Sequence, residues 1–345
     1  MATRLKRVNA ISIDRLLTRN LLVSPGLIGA KHSFQFGDRA VDIELPNVDL
    51  PDLAAIPAMH LQAERHNLAI VSWKRGYGPE SATSIAVERA TVKVEVGGKL
   101  EISNAMLEKP PNRPNGLDDA QIAKLNSIVK TNRDLAGRAF GYWLRVMRWV
   151  SKDSSIGRPQ VRGAASGWST YLADKKSKKE FWSGPHELTA VVKEPVSEEM
   201  WAHASKVLRQ SVQPPLHYEL YFDGIENRKV EDYQRAVVDF AVSTEVFIRT
   251  RTMNSLPQGL SQSLREYIDD ASIRNVMTKF FKDLFSSSGL QTFNGIESSL
   301  HQLFDVRNEI LHSGRFEGLT ESQIARFQEA TGDLIYLDDQ PNAWL

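Results

Sequence analysis

The stretch LFDVRNEILHSGR, residues 303–315, places a cation, an amide and an imidazole near the end of a predicted helix. These side chains are Arg307, Asn308 and His312. RNA carries a 2′-hydroxyl beside each phosphodiester, and a histidine can take that proton or protonate the leaving oxygen. An arginine can hold the phosphate and stabilise the charge of the transition state, and an asparagine can donate an amide hydrogen bond. These residue types therefore fit RNA cleavage without a metal ion. The alternative is a surface arginine in an ion pair and a histidine that interacts with the helix dipole.

The spacing of these residues sets a geometric condition. Arg307 follows Leu303 by four residues and Phe304 by three, so it continues the apolar stripe of the helix. A charge on such a stripe needs a partner, because burying it unpaired is costly. His312 follows Arg307 by five residues, which is about 140° around a helix. The two converge only if the helix loosens at Ser313–Gly314, where glycine fits a C-cap, or if a partner helix completes the site.

The second part of the chain, residues 196–345, has the pattern of an all-α domain. Ser197 is suited to cap a helix whose first turn carries two glutamates. Apolar residues then recur every three or four positions through four further segments, one of them predicted as a single helix over about 261–285. Short connections between such helices predict an antiparallel bundle.

The first part, residues 1–195, has the pattern of a β-rich mixed α/β domain. Alternating apolar residues predict hairpins over 33–46, turning at Gly37–Asp38, and over 90–102, turning at Gly97–Gly98. Alternation of this kind indicates an antiparallel sheet. Helical spacing follows over 122–147, and further strands are predicted at 68–73 and 187–192. No glycine-rich nucleotide-binding loop accompanies the strands.

Composition separates the same two parts. Residues 1–195 hold 29 Lys and Arg against 20 Asp and Glu, whereas residues 196–345 hold 14 against 22. The basic part could attract RNA or DNA, or the two parts could attract each other. Cysteine is absent, which excludes disulfides, thiolate metal sites and cysteine nucleophiles. No apolar run is long enough for a membrane span, so we expect a cytoplasmic α+β protein of two domains without membrane contact.

Other chemical candidates are weaker. Four lysines lie beside aromatic residues in a pattern that suits single-stranded nucleic acid, although a solvated loop fits equally well: Lys175, Lys176, Lys178 and Lys179. His60 and His66 are six residues apart, which does not place two metal ligands on one helical face. The sequence therefore predicts neither a metal site nor a cofactor.

The segment RNEILH, residues 307–312, resembles the signature of HEPN domains, in which an arginine and a polar residue precede a histidine on a late helix of an all-α bundle. The segment 233–248, with Glu245, resembles the long early helix of that family, which often carries an acidic residue near the site. The approach to that helix is similar to that of Apea-like HEPN proteins. The resemblance covers about residues 197–340, and residues 1–195 resemble no family that we recognise.

The resemblance implies a function and a set of roles. HEPN domains commonly dimerise, and many are metal-independent endoribonucleases of toxins and anti-phage defence. By this resemblance His312 would be the general acid/base, Arg307 and Asn308 would hold the phosphate, and Glu245 would orient Arg307 or His312. The products would be a 2′,3′-cyclic phosphate and a 5′-hydroxyl. The first domain would then select RNA or sense a phage-derived or protein trigger. The alternative is a non-catalytic module that dimerises and binds RNA or protein. A DNA nuclease would instead need metal-binding carboxylates.

Overall fold

The structure is a computed structural model that describes residues 5–47, 68–73, 82–103, 119–158, 171–173, 180–183, 194–314 and 318–339. The chain divides into two compact units, residues 1–213 and 214–345. The first unit holds an antiparallel sheet and the second is helical, which confirms the α+β layout in two parts. The sequence placed the boundary at 195/196, whereas the contacts divide the chain between Gln213 and Pro214.

The first unit is built on one antiparallel sheet. Its central strand, β5, pairs with β1 along one edge and with β3 and β4 along the other, and β2 pairs with β3. The strands span Leu5–Val23 (β1), Lys31–Phe36 (β2), Arg39–Glu44 (β3), Leu68–Trp73 (β4) and Ala82–Ser103 (β5).

Two glycine turns predicted from the sequence had different outcomes. The hairpin at Gly37 is confirmed, because Phe36 pairs with Arg39 and Gly37 has φ of +64°. The hairpin at Gly97–Gly98 is wrong, because β5 continues through both glycines while it pairs with β1. The register passes from Ile11–Glu95 to Asn9–Lys99, so β5 carries extra residues there and forms a bulge. Glycine supports a bulge as readily as a turn, since both use backbone conformations that other residues avoid.

Two helices cover the inner face of this sheet. They are α1, Asp119–Ser151, and α2, Glu198–Arg209. The core between them and the sheet contains fully buried apolar side chains from each element: Ile43, Val92, Val94, Trp143, Met147, Ala204 and Leu208. The segment before α2 joins the edge of β1, where the Val196 amide donates to Leu22 O at 2.8 Å and the Ser24 amide donates to Val196 O at 2.9 Å. These contacts explain why α2 belongs to the first unit.

A buried histidine links β2 to both helices. Trp143 Nε1 donates to His32 Nδ1 at 2.9 Å, so Nδ1 must be unprotonated. His32 Nε2 then carries the hydrogen and donates to Trp201 O at 3.1 Å. The imidazole also stacks on the Trp201 ring, with centroids 3.8 Å apart. Burial lowers the pKa of His32 from 6.5 to about 4, and the charge of Arg209 acts in the same direction.

We expect the first unit to lose stability in acid through His32. Its pKa is lower in the folded state than in the unfolded state, so the unfolded chain binds the proton first as the pH falls below about 6.5. The loss between about pH 6.5 and pH 4 should reach about 3 kcal/mol. Denaturant unfolding followed by tryptophan fluorescence measures this, because six of the seven tryptophans lie in residues 1–213.

The matched variants are His32→Gln and His203→Gln, since His203 is an exposed histidine of α2. The first should flatten the dependence of the unfolding free energy on pH, and the second should leave it unchanged. An equal acid slope in the parent and His32→Gln would contradict the assignment.

Between α1 and α2 the structure describes a short antiparallel pair, β6 at Tyr171–Ala173 and β7 at Glu180–Ser183. The four candidate RNA-binding lysines fall between these strands and lie outside the described residues: Lys175, Lys176, Lys178 and Lys179. The strand predicted at 187–192 also lies outside them.

The described part of the second unit consists of helices and their connections. Its helices are Leu216–Lys229 (α3), Tyr233–Ser255 (α4), Gln262–Asp270 (α5), Ile273–Lys279 (α6), Ser287–Ser313 (α7) and Glu321–Ile335 (α8). The long helix α4 contacts α3, α7 and α8, and their shared core contains several buried aromatic rings: Phe222, Phe240, Phe247, Phe304 and Phe327. No helix in the described part of the chain is long and apolar enough to cross a membrane.

The single helix predicted over 261–285 is wrong. The structure has two α-helices there, because α5 ends at Asp270 and α6 starts at Ile273. Ser272 is the N-cap of α6, and its side chain accepts a hydrogen bond from the Asn275 amide at 3.4 Å. A serine whose side chain can accept from a free backbone amide is more favourable at the start of a helix than in its interior. The interruption leaves carbonyl groups at the end of α5 for other side chains to bind.

Candidate active site

The helix that carries the candidate residues keeps its regular form to its end. It runs to Ser313, and Gly314 caps it with φ of +75° while its amide donates to Ile310 O at 2.9 Å. The predicted glycine C-cap is therefore confirmed. Because α7 does not loosen before Ser313, Arg307 and His312 stay about 140° apart around the axis and about 7.5 Å apart along it.

Arg307 lies at the edge of the core of the second unit, beside the buried Leu303 and Phe304. Its side chain is 25% exposed, and its Nη2 lies 3.6 Å from Glu245 Oε2 on α4. Its Nη1 donates to Asn308 Oδ1 at 3.0 Å. Its Nε is buried and has no hydrogen-bond partner among the described residues. The guanidinium is thus anchored on one side and retains unused donors.

Glu245 is itself held by a second arginine. Arg249 lies one turn later on α4 and donates from Nε to Glu245 Oε1 at 3.0 Å. Its Nη1 donates to Asp269 O, and its Nη2 donates to Ala271 O at 3.0 Å. Arg249 therefore joins α4 to the carbonyl groups at the end of α5. The sequence motif does not include Arg249, although its spacing of four residues from Glu245 is the signal of a helical ion pair.

The charges of this cluster do not cancel. Two guanidinium groups share one carboxylate, so Arg307, Glu245 and Arg249 together carry one net positive charge at neutral pH. Each nitrogen of Arg249 donates one hydrogen bond, whereas Arg307 donates one such bond from Nη1, and its Nη2 lies 3.6 Å from Glu245 without forming one. Arg307 therefore keeps more free hydrogens on its terminal nitrogens than Arg249, and with the net positive charge of the cluster this suits an anion such as phosphate.

His312 lies on a different face from the Arg307–Glu245 pair. It is exposed, and within the ranges that the structure describes it has no hydrogen-bond or ion-pair partner. Asn308 precedes it by four residues, so both side chains lie on one face of α7. Asn308 connects the two faces, because its Oδ1 accepts from Arg307 while its amide nitrogen is left to donate to a ligand. The structure thus joins Arg307, Asn308 and Glu245 but does not bring His312 to them within one chain.

Several other polar residues of α7 contact α6 or one another. Arg274 Nη2 donates to an oxygen of Asp305 and to His301 O. His301 Nε2 lies 3.7 Å from Glu297 Oε1. The second Arg-Asn dipeptide, at 274–275, is therefore part of a surface ion-pair chain and has no histidine at the spacing of the first. Among the described residues, no group of three or more histidine, aspartate and glutamate side chains is arranged to hold a metal ion.

No protein-family model, curated protein or solved structure matches this chain. The functional assignment therefore depends on the side chains themselves and on the way that α4, α5 and α7 position them.

Proposed function

We propose that this protein is a metal-independent endoribonuclease whose active centre is built on α7 of the second unit. Arg307 binds the scissile phosphate, Asn308 donates its amide to the same group, and His312 is the general acid/base. Glu245 orients the Arg307 guanidinium. The assignment unites the chemistry of these side chains with their resemblance to the HEPN signature.

The observation that supports the proposal most strongly is the state of Arg307. Its guanidinium donates a hydrogen bond to Asn308 at 3.0 Å and forms an ion pair with Glu245 at 3.6 Å, yet its terminal nitrogens keep unused hydrogens and the cluster carries one net positive charge. An arginine that served only as a structural ion pair would be expected to use its carboxylate partner fully. A fixed cation with free donors is what binding of a phosphodiester requires.

In the proposed reaction the 2′-oxygen of the RNA attacks the neighbouring phosphorus and displaces the 5′-oxygen of the next nucleotide. His312 removes the proton of the 2′-hydroxyl while O2′ forms a bond to phosphorus. The bond from phosphorus to the 5′-oxygen breaks, that oxygen takes up a proton from water, and the protonated His312 returns its proton to solvent. The products are a 2′,3′-cyclic phosphate and a 5′-hydroxyl, and Arg307 stabilises the extra negative charge of the transition state.

The site is completed in a homodimer. A regular helix separates Arg307 from His312 by about 140°, so one chain does not direct both side chains at one phosphate. We place Arg307 of one chain opposite His312 of a second copy, with two equivalent centres related by twofold symmetry. Leu311, which is 56% exposed, lies one turn after Arg307 on α7. An apolar residue in that position fits burial against a second copy.

The first unit supplies recognition in this scheme. The excess of basic residues in residues 1–195 favours contact with RNA, and the lysines at 175–179 are its most concentrated source of charge. We assign to this unit the selection of RNA or the sensing of a phage-derived or protein trigger. The setting, a cytoplasmic bacterial defence system, comes from the family resemblance alone.

The proposal predicts cleavage of RNA in EDTA that depends on the 2′-hydroxyl. The protein is incubated with a defined RNA that it cuts, and with the same RNA carrying one 2′-deoxy nucleotide at the cut site. Removal of the nucleophile should abolish cleavage at that position while the other positions are still cut. The products should end in a 2′,3′-cyclic phosphate, which mass spectrometry identifies.

The outcomes separate the proposed enzyme from its alternatives. The assay is run with the protein alone and after addition of extract from phage-infected bacteria, so that a required trigger is provided. RNA binding without cleavage in both conditions would contradict the enzyme and favour a dimeric RNA-binding module. Cleavage that requires a divalent metal ion and accepts DNA would favour a different nuclease chemistry.

A further inference from the structure

We propose that Arg249 is a positioning residue of the candidate active site, which holds Glu245 so that Arg307 keeps donors free for phosphate. The expected effect on catalysis rests on the proposed function. The contacts themselves involve only Arg249, Glu245 and Arg307 of the second unit. Neither the sequence motif nor the family resemblance includes this residue.

The contacts of Arg249 join α4 to the end of α5. Its Nε donates to Glu245 Oε1 at 3.0 Å, and its two terminal nitrogens donate to the backbone oxygens of Asp269 and Ala271. Each nitrogen therefore has a partner. The acceptors at the end of α5 are carbonyl groups that no helical amide satisfies, and they favour a cation there. Arg249 is fixed from both sides.

The consequence for Arg307 follows from the sharing of one carboxylate. Glu245 directs Oε1 to Arg249 and Oε2 to Arg307, at 3.0 Å and 3.6 Å. The closer and hydrogen-bonded contact is with Arg249, so Glu245 holds Arg307 only loosely. Without Arg249, both carboxylate oxygens would be free to form the bidentate pair with Arg307 that these groups prefer. Arg307 would then lose its surplus charge and part of its donor capacity.

The break between α5 and α6 provides the acceptors that Arg249 binds. The turn at residues 269–271 supplies the two carbonyl oxygens that orient Arg249, and through Arg249 it holds the Glu245 carboxylate near the Arg307 guanidinium of α7. A continuous helix over this segment would have used those carbonyl oxygens in its own hydrogen bonds. The break in the helix therefore serves the candidate site.

The test uses the full-length protein and four variants. Arg249→Met removes the contacts, Arg249→Lys keeps the charge, and Arg249→Met with Glu245→Gln also removes the carboxylate charge that would neutralise Arg307. Arg251→Met is the matched control, since Arg251 lies on the same helix and pairs with Asp338 instead. For each protein we measure kcat and KM on RNA and the Kd for an uncleavable 2′-O-methyl RNA.

We expect Arg249→Met to lower kcat and to weaken binding of the 2′-O-methyl RNA by about tenfold to a hundredfold, the range for loss of a hydrogen bond to a charged group. Arg249→Lys should recover part of kcat. The double variant should restore the Kd towards that of the parent, because Arg307 regains its surplus charge. A purely structural arginine predicts the opposite for the double variant, since a second lost contact would not improve binding.

An independent measurement separates this inference from the proposed function. In protein labelled with ¹⁵N-arginine, the Nε–H signal of Arg307 should move in Arg249→Met and stay in place in Arg251→Met. If the parent cleaves no RNA, the proposed function is wrong, and the Arg307 signal alone then tests whether Arg249 positions Glu245 and Arg307. An unmoved Arg307 signal, or a double variant that binds no better than Arg249→Met, would overturn it.

Discussion

Arg307→Ala and His312→Ala should each lower kcat for RNA cleavage by about a thousandfold or more. A positioned acid/base typically contributes about 10²- to 10⁴-fold, and an arginine on a transferring phosphoryl group contributes about 10³- to 10⁵-fold. Stability should change by only about 1 kcal/mol or less. His312 is exposed, and Glu245 keeps Arg249 as its partner when Arg307 is removed. Single-turnover kinetics and denaturant unfolding measure the two quantities.

The chain offers matched controls for both substitutions. Arg274→Ala removes the arginine of the other Arg-Asn dipeptide, whose guanidinium binds Asp305 on the surface. His301→Ala removes another histidine of α7, which lies near Glu297. Both should cleave RNA within about twofold of the parent, because surface ion pairs contribute little to stability. Equal losses in the controls and in the two candidate variants would mean that the helix as a whole, rather than these residues, supports activity.

Local patterns predicted the end of α7 well. The period of the apolar residues placed Leu303 and Phe304 in the core, and glycine at 314 predicted the C-cap, because both effects act within a few residues. The same rules failed at 271–272, where the apolar period continued across a break. Ser272 is a residue type that favours helix starts, but the period of the apolar residues carries no information about capping.

The pairing that defines the candidate site could be anticipated only in part. A charge on the apolar stripe at Arg307 required a partner, and the family resemblance suggested Glu245. The Glu245 carboxylate contacts Arg307 and not His312 because of the way that α4 packs against α7. Local sequence patterns do not determine that tertiary contact. Arg249 was missed because its role requires the carbonyl oxygens of residues 269–271, which became available only through the unpredicted helix break.

The domain boundary shows a similar limit. The change in charge between residues 1–195 and 196–345 placed the boundary before α2. The structure assigns α2 to the first unit because Trp201 stacks on His32 and Val196 joins the edge of β1. An amphipathic helix needs an apolar surface to cover, but its own sequence does not identify which one.

Completion of the active centre across two chains is the central claim, and mixed dimers test it. If Arg307 of one chain acts with His312 of the other, a dimer of one Arg307→Ala chain and one His312→Ala chain holds one intact centre of its two. Each variant alone has none. Conversely, a parental chain paired with a chain that carries both substitutions has no intact centre, although one of its chains is unchanged.

The decisive measurement is RNA cleavage in EDTA by mixed dimers that are co-expressed with two different affinity tags and purified through both. The Arg307→Ala/His312→Ala mixed dimer should recover about half of the parental rate, and the dimer of a parental chain with a doubly substituted chain should be inactive. The reverse result, an inactive first dimer and a second dimer with about half of the parental rate, would show that each chain cleaves RNA with its own Arg307 and His312 and would contradict the shared site.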